Sequence, residues 1–301
     1  MKLIKPSFEI LDQQPGLEGI YKQIELAGRT CYKSEDKITE DSAKGFVERM
    51  VKSGHGAMLE HGTVYMFIPF SPLNENYTTC HKYGDNKYSV VKIRNEHFLI
   101  EKNGCYITTN YRVLVENNWL DDLKFACDLT EWHERRVTVK FTCDRGVSHE
   151  FVRHRVFSFA QESTRYCNYS KDKFDNEITY ILPCWMDDLQ VGHHDTIDII
   201  TQACNFLPIE CNPGEYEEIL FMYMMAKAEF NYNELIKKGW KPQQARAILP
   251  NSLKTELVMT GFVSDWKHFF FLRDAVSAHP QARELAEPLH STFIQREYIK
   301  D

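Results

Sequence analysis

Residues Arg153 to Tyr166 read RHRVFSFAQESTRY: arginine, histidine and arginine in succession, a seven-residue gap, then Ser163 and, two residues on, Arg165. Guanidinium, hydroxyl and backbone N–H groups at that density are the donors a phosphate's oxygens require, each charge-assisted bond contributing about 1.5 to 3 kcal/mol. Arg153, His154 and Arg155 cannot share a face. On a helix they fan through about 200°, and on a strand the histidine opposes both arginines, so a ligand using all three must be surrounded by them. The plainer reading is a set of cations offsetting a helix dipole, about 0.3 to 1 kcal/mol each. Ser163, Thr164 and Arg165 in a turn-like stretch shift the balance toward a small phosphorylated ligand.

Other chemistries fail on spacing. HEFVRH at 149–154 looks like a zinc helix, but His149 and His154 are five apart and point about 140° from one another, and the neighbours His193 and His194 diverge. No metal site is expected. There is no GxGxxG and no GxxxxGK[ST], which disfavours a Rossmann or P-loop enzyme. Nine cysteines, an odd number with no CxxC, read as reduced thiols used mostly in packing.

Charge narrows the partners. With 36 Lys plus Arg against 43 Asp plus Glu, the net charge is -7, which argues against general affinity for nucleic acid or an anionic membrane. Any anion must be caught locally. The N-terminal stretch has no apolar run before a small-residue cleavage site, and no stretch of about 18 apolar residues occurs, so no membrane association and a cytoplasmic address are expected. The length, 301 residues, fits one large domain or one domain carrying an insertion.

The elements that must position these residues follow from periodicity. Asp41 to Val51 has helical spacing, with Gly54 placed to stop it before His55. TVYMFIPF (63–70) and RRVTVKFTC (135–143) read as strands that pair with one another. Between them lie residues of different texture, in which Asn103-Gly104 offers a type I′ hairpin turn and Tyr111 to Asn118 a short helix. Asp144 can cap a helix running to about Arg155, which puts the charged triplet at its C-terminus. EITYIL (177–182) is a strand, and Asn212-Pro213 starts a long helix whose stripe of Leu220, Tyr223, Met224, Lys227, Ala228 and Leu235 reads as core. LVMTGFV (257–263) is a strand, followed by a helix capped by Ser264 or Asp265 and a last helix from Pro280. Strands and helices without a βαβ rhythm predict an α+β fold: an antiparallel-type sheet packed with helices, with no Rossmann domain.

RHR, seven residues and a serine is similar to the signature of the flavin-dependent thymidylate synthases, including its SxRY ending. GHGAMLEH (54–61) resembles that family's GHxxxxEH block. QARAILP (244–250), HFFFLR (268–273) and AHPQAR (278–283) resemble its C-terminal blocks, in the right order. The resemblance implies a mixed α/β subunit, one domain over 1–301 with an atypical insertion at about 71–134, in a homotetramer with sites where subunits meet. It implies synthesis of dTMP from dUMP, a methylene from methylenetetrahydrofolate, and a hydride from FAD reduced by NADPH.

Roles carried over by position are as follows. His55, Arg153, His154, Arg155, Gln161 and His268 contact FAD. Glu150, Arg153, Gln161, Ser163, Arg165, Arg246 and Arg273 serve dUMP, with Ser163, Arg165 and Arg246 on its phosphate. Arg273 is the catalytic candidate, facing the uracil ring and stabilising negative charge that develops toward C5. Cys31 stands where many members have Ser, Ala57 where they often have Thr, Phe262 where an Asn usually meets the flavin's adenine side, and Gln161 where Glu is frequent. The alternative from another class is a non-catalytic nucleotide- or RNA-binding protein using the same cations, a reading the acidic balance disfavours.

Overall fold

The computed structural model describes residues 1–70, 77–95, 102–171, 174, 176–186, 188–206 and 215–300. Two short strands, β1 (Lys2–Ile4) and β2 (Ser7–Ile10), precede the helices α1 (Gly16–Tyr32), α2 (Ser42–Lys52) and α3 (Gly56–Leu59). Then come β3 (Thr63–Pro69), α4 (Tyr77–Gly84), β4 (Val90–Arg94), β5 (Gly104–Asn110) and α5 (Tyr111–Glu116). β6 (Arg136–Asp144) and α6 (Arg145–Phe151) precede the charged signature, which contains β7 (Ser158–Gln161). The chain continues through β8 (Thr179–Ile181), β9 (Gly192–His193), α7 (Thr196–Phe206), α8 (Glu215–Lys237) and α9 (Pro242–Ala245), and finishes with β10 (Lys254–Phe262), α10 (Val263–Arg273) and α11 (Pro280–Gln295).

The fold is α+β, as the element pattern predicts. Its main sheet is antiparallel, in the order β2-β6-β10-β7, and β10 pairs with β6 along its whole length, from Lys254 opposite Asp144 to Phe262 opposite Arg136. One face of this sheet meets α6, α10 and α11 around Phe141, Phe151, Trp266, Phe269 and Phe293, all fully buried. Each such phenylalanine stabilises the fold by about 1.5 to 3 kcal/mol. Trp266, Phe269 and Phe270 recur at helical spacing on the buried side of α10, which turns His268 and Phe271 outward.

The sequence reading needs four corrections. β3 does not pair with β6; it joins a separate antiparallel sheet, β3-β5-β4, closed over α1 and α2 by Ile24, Phe46, Val64, Met66 and Ile107. Two alternating strands carry no label for their partner, and β6 found β10 instead. Asn103-Gly104 makes no tight turn: Gly104 opens β5, opposite both Pro69 and Arg94. Glycine is required there for close approach, because a Cβ would sit 2.3 Å from the Ile68 carbonyl oxygen.

The third correction concerns α8. Its buried line is Met225, Ala226, Glu229 and Tyr232, whereas Leu220 and Met224 of the expected stripe are exposed. A helix apolar on most sides does not select its buried face by periodicity alone. Its expected start at Asn212-Pro213 lies outside the described residues. Finally, α10 begins directly from β10 at Val263, with Asp265 in the third position accepting the Phe262 N–H at 3.1 Å. Ser264 is not the cap.

Among the described residues, eight cysteines are free thiols, and no helix is long and apolar enough to cross a membrane.

Candidate active site

Asp144 ends β6 and caps α6 in one residue, its Oδ1 accepting the Val147 N–H at 2.7 Å. The helix stops after two turns. Arg153 N–H donates to the Glu150 carbonyl and His154 N–H to that of Phe151, and the Phe157 N–H closes the turn on the His154 carbonyl. Arg153, His154 and Arg155 therefore occupy a tight turn between α6 and β7. In it His154 points inward, 7% exposed, while Arg153 and Arg155 point out. The three do fan apart, but only two of them carry positive charge. His154 packs on Phe157 and Phe269, and burial, then Arg273 and His268, lower its pKa to about 4.

The neutral ring accepts a hydrogen bond. Arg273, at the end of α10, donates from Nε to His154 Nε2 at 3.1 Å, from Nη1 to the Glu150 carboxylate at 2.6 Å, and from Nη2 to the Glu150 carbonyl at 2.9 Å. All three guanidinium nitrogens are engaged, so the plane of the group is fixed before any ligand arrives. His268 lies beside this cluster, its ring 6.2 Å from that of His154, and is exposed.

A second cluster forms at the other end of β7. Ser163 N–H donates to the Cys31 carbonyl at 3.0 Å, and Ser163 Oγ accepts the Arg165 N–H at 3.3 Å. Arg246, just after α9, donates from Nη1 to Thr164 Oγ1 at 3.0 Å, across 82 residues of chain. Arg165 is exposed and lies over the Tyr166 ring. Gln161, at the end of β7, donates from Nε2 to Ser148 Oγ at 2.8 Å and to Thr255 Oγ1 at 3.3 Å, which leaves its Oε1 without a donor among the described residues.

The structure thus joins Glu150, His154 and Arg273, with His268 beside them, and separately joins Arg246 to the Ser163–Arg165 turn. Exposed His55 is the N-cap residue of α3 but makes no capping bond with its side chain, and it has no hydrogen bond to either cluster among the described residues; its N–H donates to the Met50 carbonyl. Of the three departures, Cys31 is held as a thiol, its pKa raised by burial, and supports the Ser163 turn through its backbone. Ala57 is exposed, and the Phe262 ring lies under Arg136 at 5.6 Å.

The sequence reading missed what lies beneath the turn. Glu162, 2% exposed, accepts from Lys254 Nζ at 2.9 Å and from the Tyr169 hydroxyl at 3.2 Å. Lys254 also reaches Glu256 at 2.8 Å, and Lys33 reaches the same Glu256 oxygen at 2.8 Å. The two lysines hold the Glu256 carboxyl down at about 2 against its burial. Lys254 and Glu256 are two apart on one strand, the period that puts both on one face; that signal was available. Thr164 counts with Ser163 and Arg165 in the sequence, but nothing there marks it as the acceptor for Arg246.

The model of one protein family, described as thymidylate synthase complementing protein, matches residues 127–296, more than half of the chain. The chain belongs to that family. A flavin-dependent thymidylate synthase of Corynebacterium aurimucosum is 25% identical over 265 residues, covering 87% of this chain and 71% of the relative. One of Mycobacterium tuberculosis is 32% identical over 142 residues, covering 47% of this chain and 50% of the relative. Among solved structures, a UMP/dUMP methylase PolB from Streptomyces cacaoi bound with 5-Br dUMP is 16% identical with a TM-score of 0.41, covering 98% of this chain and 93% of that one.

Both clusters lie within the part matched as thymidylate synthase complementing protein. The donor set fits a dinucleotide such as FAD without a glycine-rich loop. The side chains of Arg153 and Arg155 are exposed and make no hydrogen bond or ion pair among the described residues, so both guanidiniums are open to an anion.

Proposed function

We propose that this chain catalyses the reductive methylation of dUMP to dTMP, as a flavin-dependent thymidylate synthase using methylenetetrahydrofolate and NADPH. One observation carries the reading: Arg246 is brought from a distant part of the chain onto Thr164, between Ser163 and Arg165. Two guanidiniums and a hydroxyl thereby gather at one turn, which suits a phosphate monoester.

In this reading Ser163, Arg165 and Arg246 hold the phosphate, and Gln161 offers its free Oε1 to the nucleotide or the flavin. Arg273, fixed by Glu150 and His154, faces the pyrimidine and favours the ring form ionised at N3, so that charge building toward C5 meets a preorganised cation. Neutral His154 orients Arg273 without adding repulsion. Arg153 and Arg155 hold the FAD pyrophosphate, with His268 and His55 near the ring system. When bound, FAD supplies the hydride that completes the methyl group.

A homotetramer with sites between subunits is part of the proposal. Phe271 and Val276, 76% and 86% exposed, flank Arg273 in the sequence, Leu272 and Val156 are exposed too, and Tyr216, Leu220 and Met224 line the outer side of α8. Apolar surface of that kind next to a polar site is the mark of an interface. The domain reading, 1–301 with an insertion at about 71–134, is part of the proposal; β4 and β5 fall inside the insertion and extend β3 into a sheet separate from the main one. A cytoplasmic location is proposed with it.

The test is direct. Purified protein given FAD should show flavin absorbance and form dTMP from dUMP, methylenetetrahydrofolate and NADPH. A sample that takes up no flavin and makes no dTMP rules the reading out.

A further inference from the structure

We propose that the cleft where the β3-β5-β4 sheet meets the main sheet is a second small-molecule site, selective for a ligand with an oxyanion head and an apolar body. The cleft measures about 490 Å³, within the range of roughly 300 to 1,000 Å³ typical of small-ligand sites. None of its lining residues belongs to the candidate active site. Its walls come from both parts of the chain: the loop from β2 to α1, the start of β6, the end of α11's following turn at Tyr298, and residues 126–129, which precede β6.

The charge balance selects the ligand. Arg136 lies at the start of β6, deep enough for burial to lower its pKa to about 10. Its side-chain bonds both leave from Nη1 and both go to neutral oxygens, the Glu60 carbonyl at 3.1 Å and Thr63 Oγ1 at 3.2 Å. No carboxylate lies within ion-pair distance of it among the described residues, and Nε and Nη2 have no partner there. The nearby carboxylates are committed elsewhere: Glu60 to Arg112, Asp265 to the Phe262 N–H, Asp12 to Arg296. Arg136 is half-buried at the cleft wall with two guanidinium nitrogens unpartnered and no carboxylate paired to it, a donor edge that an incoming oxyanion matches.

The neighbours extend the same chemistry. Arg135 is exposed and rests over the Tyr298 ring at 4.6 Å, a second cation at the same cleft. The Tyr65 hydroxyl accepts the Arg136 N–H at 3.2 Å, and burial raises its pKa, so its own proton remains available to donate. Asp128 also lines the cleft, but it is exposed and its field is screened by water. Leu11, Ile20, Val137 and Leu129 supply the apolar wall for the ligand's body.

Carboxylate and phosphate share this recognition chemistry, and calorimetric titration distinguishes them. Phenylacetate and phenyl phosphate are titrated into the full-length protein, with benzyl alcohol as the neutral control and with saturating dUMP present or absent. At least one anion should bind, benzyl alcohol should bind at least about tenfold more weakly, and dUMP should leave both unchanged. Arg135→Ala should weaken the anion about tenfold or more, and Leu129→Trp, which fills the cleft and keeps both cations, should abolish it. Arg136 itself is left intact because its bonds to Glu60 and Thr63 join the two sheets. No binding by either anion, equal binding by benzyl alcohol, full affinity in both variants, or displacement by dUMP would each overturn the proposal. The readout is binding rather than turnover, so its failure is separate from failure of the proposed synthase activity.

Discussion

Arg273 and His154, 119 residues apart, meet through a 3.1 Å hydrogen bond in which the guanidinium donates and the imidazole accepts. That bond exists only while His154 is neutral, and it leaves the cation's other nitrogens for Glu150. If Arg273 acts on the pyrimidine, Arg273→Ala should lower turnover by about 10² to 10³, the cost of removing one preorganised donor at developing charge. Flavin occupancy, read by fluorescence quenching, should change little. Arg273→Lys should recover only part of the loss, since an ammonium cannot reproduce the three-way attachment. Unaltered turnover in Arg273→Ala would remove the residue from the catalytic list.

Acid sensitivity follows from two buried imidazoles. The pKa of His154 is lowered from 6.5 to about 4, and that of His61 to about 3, in both cases chiefly by burial. Their folded pKa values lie below the unfolded one, so the unfolded chain binds more protons between about pH 6.5 and the folded pKa. Stability is therefore lost as pH falls through that window, by an order of about 3 kcal/mol for His154. Urea unfolding from pH 7 to pH 4 should show it. His61 is hydrogen-bonded to Thr260 at 2.8 Å, and Thr260 to Thr138 at 2.8 Å. His61→Asn should lower stability at pH 7 yet flatten its decline; an unchanged slope would contradict the assignment.

What was legible in the sequence was local. Asp144 capping a short helix, the fan of Arg153, His154 and Arg155, and the helix from Pro280 all depend on neighbours within a few residues, and cap chemistry or periodicity encodes them. The inward turn of His154 was not legible, because it depends on Phe157 and Phe269 and on the distant Arg273. Strand partners failed for the same reason. β3 and β6 alternate alike, and only the shape of the surrounding core assigns one to β5 and the other to β10. Arg246 was singled out by resemblance alone; its arrival at Thr164 is a tertiary fact.

The ladder from Glu162 through Lys254 to Glu256 and Lys33 is a second consequence of long-range folding, with side-chain exposures of 1%, 15%, 14% and 20%. Replacing Lys254 by Met would leave two carboxylates without their central partner in a buried setting. The expected cost is about 3 to 5 kcal/mol, measured by urea unfolding at pH 7. Adding Glu162→Gln should restore part of it, because one uncompensated charge is then gone. A double variant no more stable than Lys254→Met would show that the ladder is not what holds the chain beneath the Ser163 turn.

Arg165 and Arg246 differ in how they are held, and that difference is testable. Arg165 rests on its own neighbour Tyr166, whereas Arg246 depends on Thr164. If Arg165 holds the dUMP phosphate, Arg165→Ala should raise the KM for dUMP by about tenfold or more, with flavin still bound, since one charge-assisted contact would be lost. Loss of FAD with normal dUMP binding would contradict it. Arg246→Ala should do the same. Thr164→Val keeps the shape of the side chain but removes the acceptor at 3.0 Å, so Arg246 keeps its charge and loses its aim. Its KM should rise less than in Arg246→Ala, with kcat unchanged. If Thr164 works only through Arg246, the double variant should be no worse than Arg246→Ala. Additive losses would instead place the Thr164 hydroxyl on the nucleotide itself.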